Sequence, residues 1–397
     1  MVDRQCEHTE LFSNYSGSQG PESTAAVLAV IWQRFGPYHM ARLAGAQKVL
    51  SRSGWMIQGI EVSNCDHYEW EAVGGIKQTL FPDRVYESLS PGEIRRAVNI
   101  FLNRLSPAAV AINGWSVQEA ISGLHWCRRN QVPAILMSET HESSGQWWKE
   151  AVKRFRVKHY QAAVVGGEWH ADYLAALGFP RDSVGVGYDA VDNDYFSCPD
   201  QGVRGRDVTQ CRYFLANTRF IDRKNIDGVL HAYAIYRELV EAGECWDLVI
   251  SGSGVKGEEW RRLTLDLRLD DYVHWPGFVQ YSKLPQLYAG AGAFIHIAHQ
   301  EAWGLVINEA AAAGLPIIAG NRVGAVCELV HDGVNGFVVD SRDVRRTAER
   351  MVQLSGMPAE QWNEMGRQSR ELVGKCSSDN FGTAMRDALC VCGVLKQ

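Results

Sequence analysis

Short apolar runs alternate along the chain with longer stretches of helical character, which predicts a doubly wound α/β fold. In the first half, Ala25 to Trp32, Pro107 to Ile112, Ala134 to Met137 and Ala162 to Val165 read as strands, and Val117 to Asn130 as a helix. Around Val184 to Arg206 the pattern breaks: glycines, a proline and polar residues replace helical periodicity, which predicts an inter-domain connection. The alternation then restarts. Tyr213 to Asn217, Trp246 to Ser251, Val273 to Trp275, Ala293 to Ile297 and Pro316 to Ala319 read as strands. Ile226 to Glu241, Glu258 to Leu267 and Val306 to Ala313 read as helices, followed by Gln361 to Leu372 and Asn380 to Leu389. Two Rossmann-like domains follow, 1–195 and 206–375, with a C-terminal helix at about 376–397 expected to pack back on the first.

Composition changes this picture little. A length of 397 residues suits two α/β domains, and 46% hydrophobic with 22% charged residues is ordinary for a globular protein. A net charge of -6 gives no support to nucleic-acid binding. No apolar run is long enough to span a membrane, and the polar start, Met1 to Gly20, does not read as a signal peptide. The ten cysteines show no disulfide or zinc spacing; Cys390 and Cys392 form a lone C-x-C. A cytoplasmic protein is expected, with peripheral contact at the inner membrane face the added alternative.

Two loops carry candidate chemistry. Glu301-Ala302-Trp303-Gly304-Leu305-Val306 leads from a strand into a helix that contains Glu309. Free N–H groups at such a helix start suit a diphosphate, and Gly304 permits close approach of the backbone. Arg219 and Lys224 follow the first strand of the second half. Ligands of open α/β sheets bind at the carboxyl ends of strands, so both cations are placed to neutralise a diphosphate.

These residues together resemble family 4 of the retaining glycosyltransferases, which have the GT-B fold of two facing Rossmann-like domains with a cleft between them. The likeness runs from about Tyr213 to Asp340. It rests on the R-x4-K pair Arg219 and Lys224, the turn Gly252-Ser253-Gly254, the segment Val273-His274-Trp275-Pro276-Gly277, and Glu301 with Glu309. The resemblance implies a sugar transferred from a nucleotide diphosphate sugar, UDP favoured over GDP, to a glycan, lipid-linked or small-molecule acceptor. No further cofactor is implied. Arg219 and Lys224 would hold the phosphates, Glu301 the transferred sugar and Glu309 the ribose. Ala302, Trp303, Gly304, Leu305 and Val306 would line sugar and phosphate. Gly252 would form a donor-site turn, and His274 or Trp275 would lie beside the base.

In the first half, Gly36 is a candidate for close approach to the donor phosphate, with a plain tight turn the equal alternative. His141, then Glu139, are candidates for contact with the sugar or the acceptor. Trp303 and the segment Gly324-Ala325-Val326-Cys327-Glu328 depart from the family pattern.

Two further motifs imitate other chemistry. Gly252-Ser253-Gly254-Val255-Lys256-Gly257 matches a dinucleotide fingerprint but stands on the second strand of its half. Asp192-Asn193-Asp194 imitates a metal-binding D-x-D but lies in the connection, and no catalytic metal is expected. Gln146 to Lys158 mixes aromatics with five basic residues, read as a surface helix whose apolar side packs on the first domain; a membrane surface or an anionic lipid-linked acceptor is the alternative contact. An epimerase or hydrolase of nucleotide sugars, a nicotinamide-dependent dehydrogenase and a non-catalytic sugar-nucleotide binder remain as alternative functions.

Overall fold

The computed structural model describes residues 25–65, 74–142, 145–197 and 213–396. The first half contributes β1 (Ala26–Trp32), α1 (Pro37–Leu50), β2 (Trp55–Cys65), β3 (Lys77–Val85), α2 (Pro91–Leu105), β4 (Ala109–Asn113), α3 (Gln118–Asn130), β5 (Ala134–Ser138), α4 (Trp147–Val157), β6 (Ala162–Val165), α5 (Glu168–Ala176), β7 (Val184–Val186) and α6 (Asn193–Ser197). The second half contributes β8 (Tyr213–Asn217), α7 (Ile226–Leu239), β9 (Asp247–Ser251), α8 (Gly257–Asp266), β10 (Val273–Gly277), α9 (Leu284–Gly290), β11 (Ala293–His296), α10 (Leu305–Ala312), β12 (Ile317–Gly320), α11 (Val326–Leu329), β13 (Gly336–Val339), α12 (Val344–Ser355), α13 (Ala359–Val373) and α14 (Ser378–Val391).

The strands form two wholly parallel sheets. Their orders are β3-β2-β1-β4-β5-β6-β7 and β10-β9-β8-β11-β12-β13. Each order reverses beside its first strand, β1 or β8, and that switch point is where open sheets leave a crevice for a ligand. Helices cover both faces, so central strands such as β6 and β12 are buried at every position. The expected GT-B arrangement of two Rossmann-like domains is therefore present.

Of the strands missed by the periodicity reading, β2 and β3 have physical reasons to be obscure, whereas the buried, apolar β13 has none. β3 is an edge strand in which Leu80 alone is buried, and it tolerates Pro82 because an edge strand has one unpaired side. In β2, the buried Glu61 interrupts the apolar run. Its carboxylate accepts from Phe35 N–H at 2.7 Å and Thr79 Oγ1 at 2.6 Å, and pairs with Lys77.

The chain crosses between domains earlier than the expected boundary at 195. Tyr188 and Ala190 belong to the first-domain core, whereas Val191 and Phe196 belong to that of the second. Val184 to Val186, expected within the connection, form the edge strand β7, because three residues suffice to extend a parallel ladder from β6. The expected connection from 198 to 206 lies outside the described residues.

The chain crosses back after α13. Cys376 still packs in the second-domain core, but Phe381, Met385 and Leu389 of α14 are buried against Leu28, Trp32 and Leu43 of the first. The two crossings meet in a bridge between Val191 and Ser377. Helices α1 and α14 touch backbone to backbone, and a Cβ on Gly45 would collide with the Ser378 carbonyl.

Candidate active-site cleft

A cavity of about 470 Å³ opens between the domains at the carboxyl ends of the strands. Its second-domain wall is built by four turns, three of which bring its polar groups and glycines. The first, after β8, presents Asn217, Thr218, Arg219 and Lys224; the second, after β9, presents Gly252, Ser253 and Gly254. Gly252 and Gly254 have φ of 136° and 143°, and side chains there would strike the backbone of Thr218 and Phe220. These glycines let two turns lie against one another, and Gly252 donates its N–H to the Gly277 carbonyl. The turn therefore sits on the second strand of its sheet, not on the first strand where a dinucleotide fingerprint belongs.

The third turn leads from β11 into α10 and supplies Glu301, Trp303, Gly304, Leu305 and Val306. Gly304 adopts φ 102° at the helix N-cap, a conformation that favours glycine. The first N–H groups of an α-helix have no intrahelical acceptors, so the start of α10 gives the cavity wall a positive potential.

Glu301 is the electrostatic centre of this wall. It pairs with Lys224, approaches Arg223 Nη1 at 3.2 Å and lies 3.9 Å from His296 Nε2. Burial opposes its ionisation, but Lys224, with Arg223 behind it, outweighs that and holds the carboxyl below its ordinary range. Burial, with Lys224 beside it, pushes His296 down to about 3, so its ring is neutral. Arg223 and His296 escaped the sequence reading. The spacing of Arg219 and Lys224 drew attention to the outer members of this loop, and no motif marked His296.

Other expected site residues lie elsewhere. Glu309 is fully buried and does not line the cavity; Tyr38 of the first domain lines it and donates to the Glu309 carboxylate. Tyr288 donates to the other oxygen at 2.5 Å. Burial raises the Glu309 carboxyl to about 7, against the two tyrosine hydrogen bonds.

His274 and Trp275 also stand off the cavity. His274 pairs with Asp247 at 2.7 Å, and Trp275 packs edge-on to Phe220. Phe278 and Val279, just beyond the carboxyl end of β10, line the cavity in their place. The rule that ligands lie beyond strand ends could have found them. Gly36 lies outside the cavity, caps α1, and donates its N–H to His39 Nδ1 at 3.1 Å; a Cβ there would meet only that atom, at 3.8 Å.

Glu139 reaches the cavity from the first domain. Beneath it, buried Asp189 bonds to Arg42 at 3.3 Å, and its other oxygen has no hydrogen-bond partner. Burial, then the charge of Glu139, raises the Asp189 carboxyl well above its usual value. His141 is off the cavity, with both ring nitrogens buried and without hydrogen bonds; its ring lies 5.1 Å from that of His170.

Trp303 is wedged between the domains. Its ring packs on Gly166 and Gly167, where a Cβ would come within 2.8 Å and 3.1 Å, and its Nε1 donates to Asn308 at 2.8 Å. His170 Nε2 meets the Ala302 carbonyl at 2.9 Å, and Asn308 donates to the Asp189 carbonyl at 2.9 Å. Ala302 thus serves the domain contact through its backbone and is not a cavity residue. Asp192 of the D-x-D accepts from Tyr195 N–H at 3.0 Å and caps α6. Among the described residues, no group of three or more His, Cys, Asp or Glu is arranged to hold a metal ion, and no helix is long and apolar enough to cross a membrane.

Known proteins resemble this chain in sequence and in fold. Residues 208–372 match the family described as glycosyl transferases group 1. A GDP-mannose-dependent alpha-(1-6)-phosphatidylinositol monomannoside mannosyltransferase of Mycobacterium tuberculosis is 34% identical over 178 residues, 41% of this chain and 44% of that one. O-antigen chain mannosyltransferase B of Escherichia coli is 31% identical over 147 residues, 36% of each chain. This chain thus spans less than half the length of these curated relatives. Among solved structures, Anabaena HepE in complex with UDP superposes with a TM-score of 0.68 at 15% identity, over 92% of this chain and 99% of that one. A glycosyltransferase from Rickettsia africae superposes with a TM-score of 0.69 at 14% identity, over 94% of this chain and all of that one. The protein therefore has the two-domain GT-B fold of glycosyltransferases, and its second domain carries the sequence pattern of glycosyl transferases group 1.

Proposed function

We propose that the protein transfers a sugar from a nucleoside-diphosphate sugar to a glycan, lipid-linked or small-molecule acceptor, with retention at the anomeric carbon and without a metal. The observation that carries this reading is the convergence of Arg219, Lys224 and the start of α10 on one cavity. Positive groups fixed in advance around a leaving diphosphate stabilise its charge as it develops. The bond from the anomeric carbon to the diphosphate oxygen breaks, and the acceptor oxygen bonds to that carbon on the same face. The acceptor proton passes to the departing phosphate.

Glu301, kept ionised by its cationic neighbours, accepts hydrogen bonds from the sugar, while Glu139 faces the acceptor. Glu309 reaches the ribose only after Tyr38 leaves it. His141, with two unsatisfied nitrogens near the cleft, turns to the sugar when the donor binds. UDP is retained as the donor nucleotide, although relatives from Mycobacterium tuberculosis and Homo sapiens are named for GDP-mannose.

Product analysis with a panel of UDP- and GDP-sugars, in chelator, is expected to give a glycosylated acceptor with UDP-sugars. Release of free sugar regardless of acceptor would replace transfer with hydrolysis. Activity lost in chelator and restored by Mg²⁺ or Mn²⁺ would refute metal independence, and turnover with GDP-sugars alone would reverse the choice of base.

A further inference from the structure

Helix α4 is inside out. In a surface helix the apolar stripe ordinarily faces the core, yet here Trp147, Trp148, Val152 and Phe155 are 82%, 52%, 41% and 57% exposed. Polar side chains tie the inner face down instead. Lys153 bonds to Glu150 at 2.8 Å and to Tyr173 Oη at 2.6 Å, Tyr173 bonds to Glu150 at 2.7 Å, and Arg156 donates to the Trp115 carbonyl at 2.7 Å. Val157 is the one buried apolar residue of the helix. Trp148, Val152 and Phe155, spaced i, i+4 and i+7, therefore share an outward face by design of the contacts beneath them.

Basic residues accompany that face. Lys149 lies over the Trp148 ring at 5.4 Å and Lys158 over the Phe155 ring at 4.5 Å, with Arg154 exposed beside them. The chain as a whole carries a charge of -6, but of the five cations in residues 146–158, Lys149, Arg154 and Lys158 are exposed, while the single acid Glu150 is turned inward with Lys153. An aromatic face with cationic companions fits an anionic lipid surface: rings enter the headgroup boundary while ammonium and guanidinium groups meet phosphates.

We infer that the outer face of α4 docks this protein on an anionic bilayer. Docking is independent of the transfer reaction, so a vesicle assay can fail without touching the functional reading. The full chain is sedimented with vesicles of phosphatidylcholine alone, or of phosphatidylcholine with phosphatidylglycerol. It is expected to pellet with the anionic vesicles only, and less as salt rises. The double variant Trp148→Ser, Phe155→Ser should lose vesicle affinity about tenfold or more. The triple variant Lys149→Glu, Arg154→Glu, Lys158→Glu should lose about a hundredfold or more. None of these side chains is buried, so both variants should keep the wild-type circular dichroism spectrum and melting temperature. Equal pelleting with neutral vesicles, or pelleting with neither kind, would overturn the proposal. So would self-association of the wild-type chain that the aromatic variant abolishes, since a second copy would then cover the face.

Discussion

Lys224→Ala is expected to slow sugar transfer about a hundred- to a thousandfold, the usual loss when one fixed charge at a reacting centre is removed. The same change strips Glu301 of its closest counter-ion while the carboxylate stays largely buried. Breaking a buried pair costs about 3–5 kcal/mol. The lower end is expected here, because Arg223 remains 3.2 Å from Glu301 and the pair borders an open cavity. Lost activity alone would not separate phosphate binding from damage to the fold, but the double variant Lys224→Ala, Glu301→Gln does. It leaves no unpaired buried charge, so denaturation should return close to wild type, while transfer should fall well below that of Glu301→Gln alone because the phosphate has also lost its lysine. Transfer equal to that of Glu301→Gln alone would show Lys224 to act only as a prop for Glu301. Wild-type turnover in the single variant would remove Lys224 from the site altogether.

The second domain was legible in the sequence for a physical reason. Its strands are short, buried on both faces and separated by amphipathic helices, so β8, β9 and β11 stand out as apolar runs. The first domain hides more. Its edge strand β3 is polar, β2 carries a buried glutamate, and α1 has both Arg42 and Gly45 on its inner side. In the site, sequence spacing placed residues within each of three turns, namely Arg219 and Lys224, Gly252, and Glu301 with Gly304 to Val306, all of which line the cavity.

Spacing could not foresee contacts between distant turns. The direct pairing of Lys224 with Glu301, the donation from Tyr38 to Glu309 and the Arg42–Asp189 pair all depend on how the elements meet. α4 shows the converse. Its helical character was legible, but its outward face was not, because the polar partners that hold Lys153 and Arg156 lie on other elements.

Glu309→Gln is expected to make the protein more stable than the wild type above neutrality and to flatten part of its pH profile. The folded protein holds the Glu309 proton up to about pH 7, because burial penalises the carboxylate; the unfolded chain releases it near the ordinary 4.5. Below 4.5 both states keep the proton. As pH rises from there toward 7, only the unfolded state gains by losing it, so stability falls, and above 7 the full cost of about 3 kcal/mol is present. His39 and His296, both lowered to about 3 by burial and cationic neighbours, act oppositely and reduce stability as pH falls below 6.5. They are common to both proteins, so the difference between wild type and Glu309→Gln isolates the glutamate. Denaturant titrations of the two at pH 5 and pH 8 read it directly, and parallel pH slopes would refute the buried titration. Glu309→Gln should also weaken binding of free UDP about tenfold if the carboxylate receives the ribose. Tyr38→Phe removes the hydroxyl that now occupies that carboxylate and should strengthen UDP binding by a similar factor. Calorimetry on both variants checks the pair: unchanged affinity in each would leave Glu309 a tyrosine-held core residue and take the ribose from it.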